Sequence, residues 1–198
     1  MMKKLRQILT CCMVAALSAG CASSSPMHFY TLSPTSVPTV VSEAKYSVSV
    51  GPVSVPSVVD RLQIVLRAGP NQVSISEFDR WASPLRDDIG RVVAENLVSM
   101  LGTKQVTLFP QSAVIGVSYR VIINFLRFDS ELGKAATLDV LWTVSSAHDG
   151  QSYRGRTTLT EAVQGAEYAA LIAAHSSAIG RLCTEIAETI QDIENRKL

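Results

Sequence analysis

The chain has 198 residues, with 18 Lys and Arg against 17 Asp and Glu and a formal net charge of +1. Such a balance lacks the basic field that attracts nucleic acid, so a nucleic-acid-binding protein is not expected. The length is sufficient for one compact domain with a substantial hydrophobic core.

The first twenty residues have the pattern of a bacterial lipoprotein signal peptide. A positively charged start at 3–6 precedes an uncharged run over 8–17, and three small residues lead to Cys21. The run is shorter than the roughly 20 apolar residues that span a bilayer, so a transmembrane anchor is the less favoured alternative. We therefore expect residues 1–20 to be removed and Cys21 to carry diacylglyceryl and N-acyl chains, with no other cofactor.

The residue after Cys21 bears on where the mature chain is expected to reside. Ala22 stands where lipoproteins retained at the inner membrane carry an aspartate in enterobacterial-type sorting. By that analogy we expect anchoring at the periplasmic face of the outer membrane. Of the four cysteines, Cys183 alone would keep a free thiol in the mature chain. It lies in a helical pattern and is expected to be a buried small hydrophobe.

Strands and one helix are predicted between residues 21 and 110. Residues 21–45 read as a lipid-anchored segment and linker with a candidate short strand at 28–32. A strand is predicted at 46–50, a hairpin over 64–76, and a last short strand at 105–109. Between the hairpin and that strand, Ser83 as N-cap, Asp87 and Asp88 in the first turn and Gly102 as the stop predict a helix.

The second half of the chain reads as a meander followed by a helix. Apolar and polar residues alternate over 118–128, 137–146 and 153–163, and an Asp-Gly pair suits the turn between the last two strands. A continuous apolar stripe predicts a helix over 167–195. We expect a single α/β domain at 46–198, a two-layer sandwich with a mixed sheet and both main helices on one face.

The sequence carries none of the common motifs of catalytic, metal or nucleotide sites. The sequence contains no nucleophile elbow, no zinc-protease motif, no phosphate-binding glycine loop and no Cys-x-x-Cys pair. His28, His148 and His175 show no metal-ligand spacing, so a metal site is not expected. Binding or assembly is therefore favoured over catalysis.

Two sequence segments carry a resemblance to a known family. Arg80–Leu85 and Arg91–Leu97 resemble the signature of the PqiC family, the ABC-type transport auxiliary lipoproteins of Gram-negative envelopes. Further similar segments follow in the same order: Phe29–Leu32, Val50–Pro56 with Asp60–Arg61, Asn124–Asp129 and Trp142. The resemblance implies a fold similar to the N-terminal domain of TolB and an accessory role in lipid traffic between the two membranes.

The resemblance also implies partners. They are a periplasmic MCE-domain protein and its inner-membrane partner, either an ABC permease or a PqiA-like protein. Because MCE proteins form rings, we expect a homo-oligomer that matches them. Two other functions are left open: regulation of a cell-wall synthase, and direct carriage of lipid in an apolar cavity.

Two residue pairs are candidates for contacts with a partner or with another copy of the chain. Arg80 and Trp81 have the composition of a binding hot spot. A filling of the core by Trp81, with Arg80 paired to a carboxylate, is the favoured alternative. Asp60 and Arg61 either pair across a subunit interface or are solvated.

A third candidate pair lies in the first predicted strand. Phe29 and Tyr30 either add as a strand to the edge of a neighbouring sheet or pair within their own sheet. The sequence does not decide between these two arrangements.

Overall fold

The structure is a computed structural model that describes residues 26–35, 44–110 and 116–196. The predicted signal peptide and the predicted lipid attachment at Cys21 lie outside the described residues. The described chain contains eight strands and two helices: β1 (His28–Tyr30), β2 (Val48–Ser54), β3 (Gln63–Gly69), β4 (Gln72–Trp81), α1 (Leu85–Leu101), β5 (Val106–Leu108), β6 (Tyr119–Glu131), β7 (Ala135–Ser146), β8 (Ser152–Ala162) and α2 (Tyr168–Asn195).

A five-stranded sheet in the order β5-β2-β6-β7-β8 forms the larger layer. β2 runs parallel to both of its neighbours, whereas β6, β7 and β8 form the predicted antiparallel meander. Burial alternates along β6, because Tyr119, Val121 and Ile123 are buried while the residues between them are exposed. One face of this sheet is therefore covered and the other faces solvent.

The two helices cover the buried face and pack against each other. α1 lies on β2 and β5, and α2 lies on β7 and β8. Most of their apolar stripes and of the inward residues of the sheet form one large core, and a small second cluster contains Ala136, Val163, Leu171 and Ala174. The predicted α/β class and the two-layer sandwich with both helices on one face are confirmed.

The strands are divided between two sheets, where the sequence predicted one. β1, β4 and β3 form a separate mixed sheet in which β1 is parallel and β3 antiparallel to the central β4. The β3–β4 hairpin is longer than predicted because β4 continues to Trp81, whose ring meets the edge of Phe128 on β6 with centroids 6.3 Å apart. Arg67 of β3 also donates two hydrogen bonds to Asp129 at the end of β6.

The start of α1 differs from its prediction. Ser83 is not the N-cap; Pro84 occupies that position with an extended ψ of 128°, so the helix begins at Leu85 and has no side-chain cap. The Asp88 carboxylate is engaged elsewhere, as described below. The predicted stop is confirmed, because Gly102 adopts a φ of 65° and its N–H donates to the Val98 carbonyl.

A short segment after β1 crosses the groove between the helices, and we call residues Thr31–Thr35 the strap. Asp88 of α1 accepts hydrogen bonds from the Thr31 hydroxyl and, at 2.7 Å, from the buried Leu32 N–H. The Ser33 N–H donates to Ser176 Oγ of α2, and the Thr35 N–H donates to Asn96 Oδ1 of α1, each at 3.1 Å. The segment that precedes the linker is thus fixed to both helices.

Candidate docking surfaces

The six predicted contact residues lie in three adjacent segments: β1, the end of β4, and the turn before β3. Phe29 pairs with Arg80 and Tyr30 with Trp81 in the register of β1 and β4. Asp60 and Arg61 belong to the turn before β3. This turn is linked to the end of β4 by a hydrogen bond of 2.7 Å from the Trp81 N–H to the Leu62 carbonyl. The pairing of Phe29 and Tyr30 is thus within the chain's own sheet, one of the two arrangements that the sequence left open.

Tyr30 and Trp81 belong to the inner face of the three-stranded sheet. His28 Nδ1 and the Tyr30 hydroxyl both lie within hydrogen-bond distance of Asp79 Oδ1, at 3.2 and 3.0 Å. Burial, together with the hydrogen bond to Asp79, raises the pKa of Tyr30 to about 12. Trp81 is only 3% exposed. These two side chains stabilise the fold and offer little surface to a partner.

Phe29 and Arg80 lie on the outer face of the same sheet. Side chains alternate along a strand, so the neighbours of Tyr30 and Trp81 point the other way. Phe29 is 61% exposed and Met27, just before β1, is 52% exposed. Within the described chain the buried Nε of Arg80 has no hydrogen-bond partner. We call Met27, Phe29 and Arg80 the anchor-end face.

Asp60 and Arg61 lie next to each other but have different surroundings. Asp60 accepts a hydrogen bond from Arg86 Nη1 at 3.3 Å, with both side chains partly exposed to solvent. Such an ion pair contributes little to stability because water screens it. Arg61 is exposed. An ion pair of this turn across a subunit interface stays a prediction.

The uncovered side of the five-stranded sheet is a second surface. One row of neighbouring side chains across this face runs from Ile122 through Thr143 to Arg154. The next row runs from Asn124 through Leu141 to Arg156. We call this surface the open face and define it by its exposed apolar and arginine residues: Ile122, Leu126, Leu141, Arg120, Arg154 and Arg156.

The open face carries a surplus of positive charge. Arg156 forms a two-pronged ion pair with Asp139, with N–O distances of 2.9 and 2.7 Å. The hydrogen bonds from Arg156 hold the pKa of Asp139 below its usual range. Arg120 and Arg154 add two further cations around the apolar residues. Three exposed apolar side chains between arginines have the composition of a protein docking surface.

Two pockets lie at opposite ends of the larger sheet. One, of about 360 Å³, lies where the carboxyl ends of β2 and β5 meet the start of α1, beside Pro52, Arg86 and Phe109. The other, of about 460 Å³, lies near Lys45 and His148. Both volumes are at the lower end of the range for small-molecule sites, and both linings include charged side chains.

His175 and Cys183 are ionisable groups buried in the core. His175 of α2 stacks on Phe128 with ring centroids 4.1 Å apart, and its Nε2 lies 2.8 Å from Ser130 Oγ. Burial lowers the pKa of His175 to about 3, so the imidazole is neutral near pH 7. Burial raises the pKa of the Cys183 thiol to about 12, which keeps it protonated and unreactive, as its predicted packing role requires.

The described ranges contain no group of three or more His, Cys, Asp and Glu side chains placed to hold a metal ion. Among the helices that the structure describes, none combines the length and the apolar character needed to cross a bilayer.

The two-layer α/β sandwich, with both helices on one sheet face and the other face open, defines the fold class of the protein. The particular family follows from sequence comparison. The model of the ABC-type transport auxiliary lipoprotein component family matches residues 30–187, and the chain belongs to this family. The resemblance drawn from the sequence is thereby confirmed.

Solved structures with the same fold are similar to this chain. A crystal structure of an uncharacterized protein is 20% identical, has a TM-score of 0.70, and matches 84% of this chain and 99% of its own. Protein XCC0632 from Xanthomonas campestris is 18% identical, has a TM-score of 0.68, and matches 86% of this chain and 100% of its own. No curated protein matches the chain. These likenesses support the fold alone.

Sequence reasoning missed both the strap and the open face. Thr31 and Leu32 of the strap were assigned to the candidate strand at 28–32, the rest of the strap was assigned to the linker, and Asp88 was attributed to the helix dipole. The sequence did carry a signal for the open face. Arg154 and Arg156 occupy alternate positions of β8, as side chains on one face of a strand do. Alternation alone does not show which face the helices cover.

Proposed function

We propose that this protein is an outer-membrane-anchored accessory component of an MCE-type intermembrane lipid transport system. Lipid on Cys21 would hold it at the periplasmic face, and it would act by docking rather than by catalysis. It would need no cofactor beyond that covalent lipid. Membership of the transport auxiliary lipoprotein family supports the envelope location and the transport role.

The open face is the observation that carries the docking role. Ile122, Leu126 and Leu141 remain 37–45% exposed on a sheet face that no helix of the described chain covers. A partner that buries these side chains gains roughly 25 cal/mol for each Å² of apolar surface removed from water. The surrounding arginines favour a partner with an acidic rim and would steer its approach.

The partner we propose for this face is the periplasmic MCE-domain protein, itself served by an ABC permease or a PqiA-like protein in the inner membrane. A ring of copies of the lipoprotein would match the ring symmetry of such a partner. Arg61 is exposed beside Asp60 in the turn before β3, so it is then a candidate for contacts between copies.

Co-purification of the tagged lipoprotein with the MCE protein from envelope extracts tests this proposal. Leu141→Glu places a negative charge on an open-face residue that is 40% exposed. We expect about a tenfold loss or more of co-purified MCE protein, because a carboxylate would face the acidic rim of the partner and would be desolvated.

Val73→Glu is the matched control, since Val73 is 44% exposed on β4 of the other sheet and should leave the complex intact. Full recovery of the partner with Leu141→Glu would remove the open face from the proposal. Enrichment of a penicillin-binding protein in place of the MCE protein would favour regulation of a cell-wall synthase. Phospholipid bound to the purified domain would favour a lipid carrier.

A further inference from the structure

The point where the described chain begins lies close to the proposed lipid anchor. Cys21 precedes Met27 by six residues. A fully extended chain spans at most about 3.5 Å per residue, so this tether reaches about 21 Å. With lipid on Cys21, Met27 at the entry to β1 therefore stays within about 21 Å of the membrane surface.

The side chains at this point have the chemistry of the boundary between lipid headgroups and acyl chains. Met27 and Phe29 are more than half exposed, and Phe29 has the largest exposed fraction among the large hydrophobic side chains of the described chain. Arg80 is the cross-strand neighbour of Phe29. Aromatic and apolar side chains bury themselves at that boundary, while an arginine beside them binds the lipid phosphates.

Arg80 is not engaged by the carboxylate closest along the strand. Asp79 points to the opposite face, where it is near His28 and accepts from Tyr30 and Ser76. Arg80 Nε is buried without a hydrogen-bond partner in the described residues. Arg80 as a whole is only half-buried, so a lipid phosphate oxygen would pair with the exposed part of its guanidinium rather than with the buried Nε.

The anchor-end face has a fixed position relative to β4 and both helices. β1 pairs with β4 on one side, and the strap that follows it is hydrogen-bonded to both helices. The free length between the anchor and the body is therefore only the few residues before β1. A short tether to a rigid body presents one side of that body to the membrane.

We infer that the anchor-end face lies in the interface of the phospholipid bilayer, with Met27 and Phe29 among the headgroups and Arg80 on a lipid phosphate. This inference rests on the proposed lipid at Cys21. It deepens the proposed function, because it sets one end of the molecule on the membrane and leaves the open face to the partner.

A fluorescent label attached at Phe29→Cys tests the inference in the full lipidated protein. Vesicles of phosphatidylethanolamine and phosphatidylglycerol carry a nitroxide-labelled lipid as the quencher. Cys183 is buried, with a raised pKa, and should resist labelling. We expect the label at position 29 to be quenched at least about threefold more strongly than the same label at Leu141→Cys on the open face. Equal quenching at both positions overturns the inference.

The phosphate contact has its own test. Arg80→Gln, combined with the label at position 29, should reduce the quenching, and the reduction should grow with the fraction of phosphatidylglycerol. Arg154→Gln, an exposed arginine of the open face, is the matched control and should leave the quenching unchanged. The same loss with both variants, or with neither, would remove Arg80 from the membrane contact.

Failure of the inference is distinguishable from failure of the proposed function. Palmitate labelling of the wild-type protein and its recovery in the outer-membrane fraction report the anchor alone. A protein that is lipidated and membrane-bound, but whose label at position 29 stays in water, contradicts only the membrane-facing orientation. Absence of palmitate on the protein contradicts the anchor itself.

Discussion

His175 links the stability of the fold to pH. It faces Phe128 and Ser130, and Asp129 is the nearby charged group that opposes the lowering of its pKa. Burial places the folded-state pKa of His175 at about 3, whereas an unfolded chain has an ordinary value near 6.5. Between those two values the unfolded chain binds a proton that the folded chain excludes, so stability should fall as the pH drops from 6.5 toward 3. The slope is about 1.4 kcal/mol per pH unit.

Urea unfolding of the wild type and of His175→Gln at several pH values between 7 and 4 measures this slope. The variant removes the titrating ring, so its free energy of unfolding should depend less on pH than that of the wild type. His148→Gln, at an exposed turn, is the control for the general effect of replacing a histidine by glutamine. Parallel pH profiles for wild type and His175→Gln would contradict the assignment.

The contact between the strap and α2 predicts whether a substitution at Gly180 stabilises or destabilises the protein. Gly180 lies inside α2, where alanine normally stabilises a helix by about 1 kcal/mol. Here a Cβ at position 180 would overlap the Thr35 side chain. We therefore expect Gly180→Ala to destabilise the protein by about 1–3 kcal/mol, or to release the strap and speed hydrogen exchange of its amides.

Two companion variants make that test specific. Thr35→Ala removes the overlapping atoms and should restore stability in the Gly180→Ala background. Gly90→Ala in α1 meets only ordinary contacts, at 3.7 Å from Leu108 and Val53, and should be neutral or stabilising. Stabilisation by Gly180→Ala alone would mean that the strap does not lie against α2.

The helices and the meander were predictable because their signals are local. The apolar stripe lies within α2 itself, and the glycine that ends α1 is the residue directly after it. The strap was not predictable, because Asp88 and Leu32 are 56 residues apart in sequence and nothing near Asp88 shows that it will be buried. A carboxylate three residues after the first residue of a helix looks the same in the sequence whether water or another segment forms its hydrogen bonds.

The candidate surfaces were predictable only in part, for the same reason. The resemblance indicated Phe29, Tyr30, Arg80 and Trp81, and the structure places them in two adjacent strands. Which of them are exposed depends on the face that the core covers. That face is decided by Phe128 on a strand from the other half of the chain, so a local pattern could not separate Trp81 from Arg80.

At the scale of the whole molecule, the two sheets share one core. Trp81 and Val65 of the smaller sheet belong to the same cluster of buried side chains as Phe128, Val140 and the helix stripes. Across that junction Arg67 donates hydrogen bonds to Asp129. Partial burial would raise the pKa of Asp129, but the hydrogen bonds from Arg67 and from Arg127 of its own strand outweigh it and hold that pKa below the usual range. We therefore expect both sheets to unfold together.

Trp81→Ala tests whether the two sheets form one cooperative unit. The chain has two tryptophans, so in this variant Trp142 of β7 alone reports on the larger sheet. Loss of the buried indole should lower the free energy of unfolding by about 3–5 kcal/mol. The Trp142 fluorescence transition should shift by the same amount as the far-ultraviolet circular dichroism transition.

Phe29→Ala, at an exposed position in the smaller sheet, is the control and should change the free energy of unfolding by less than about 0.5 kcal/mol. A Trp142 transition at its wild-type midpoint in Trp81→Ala would show that the smaller sheet unfolds independently.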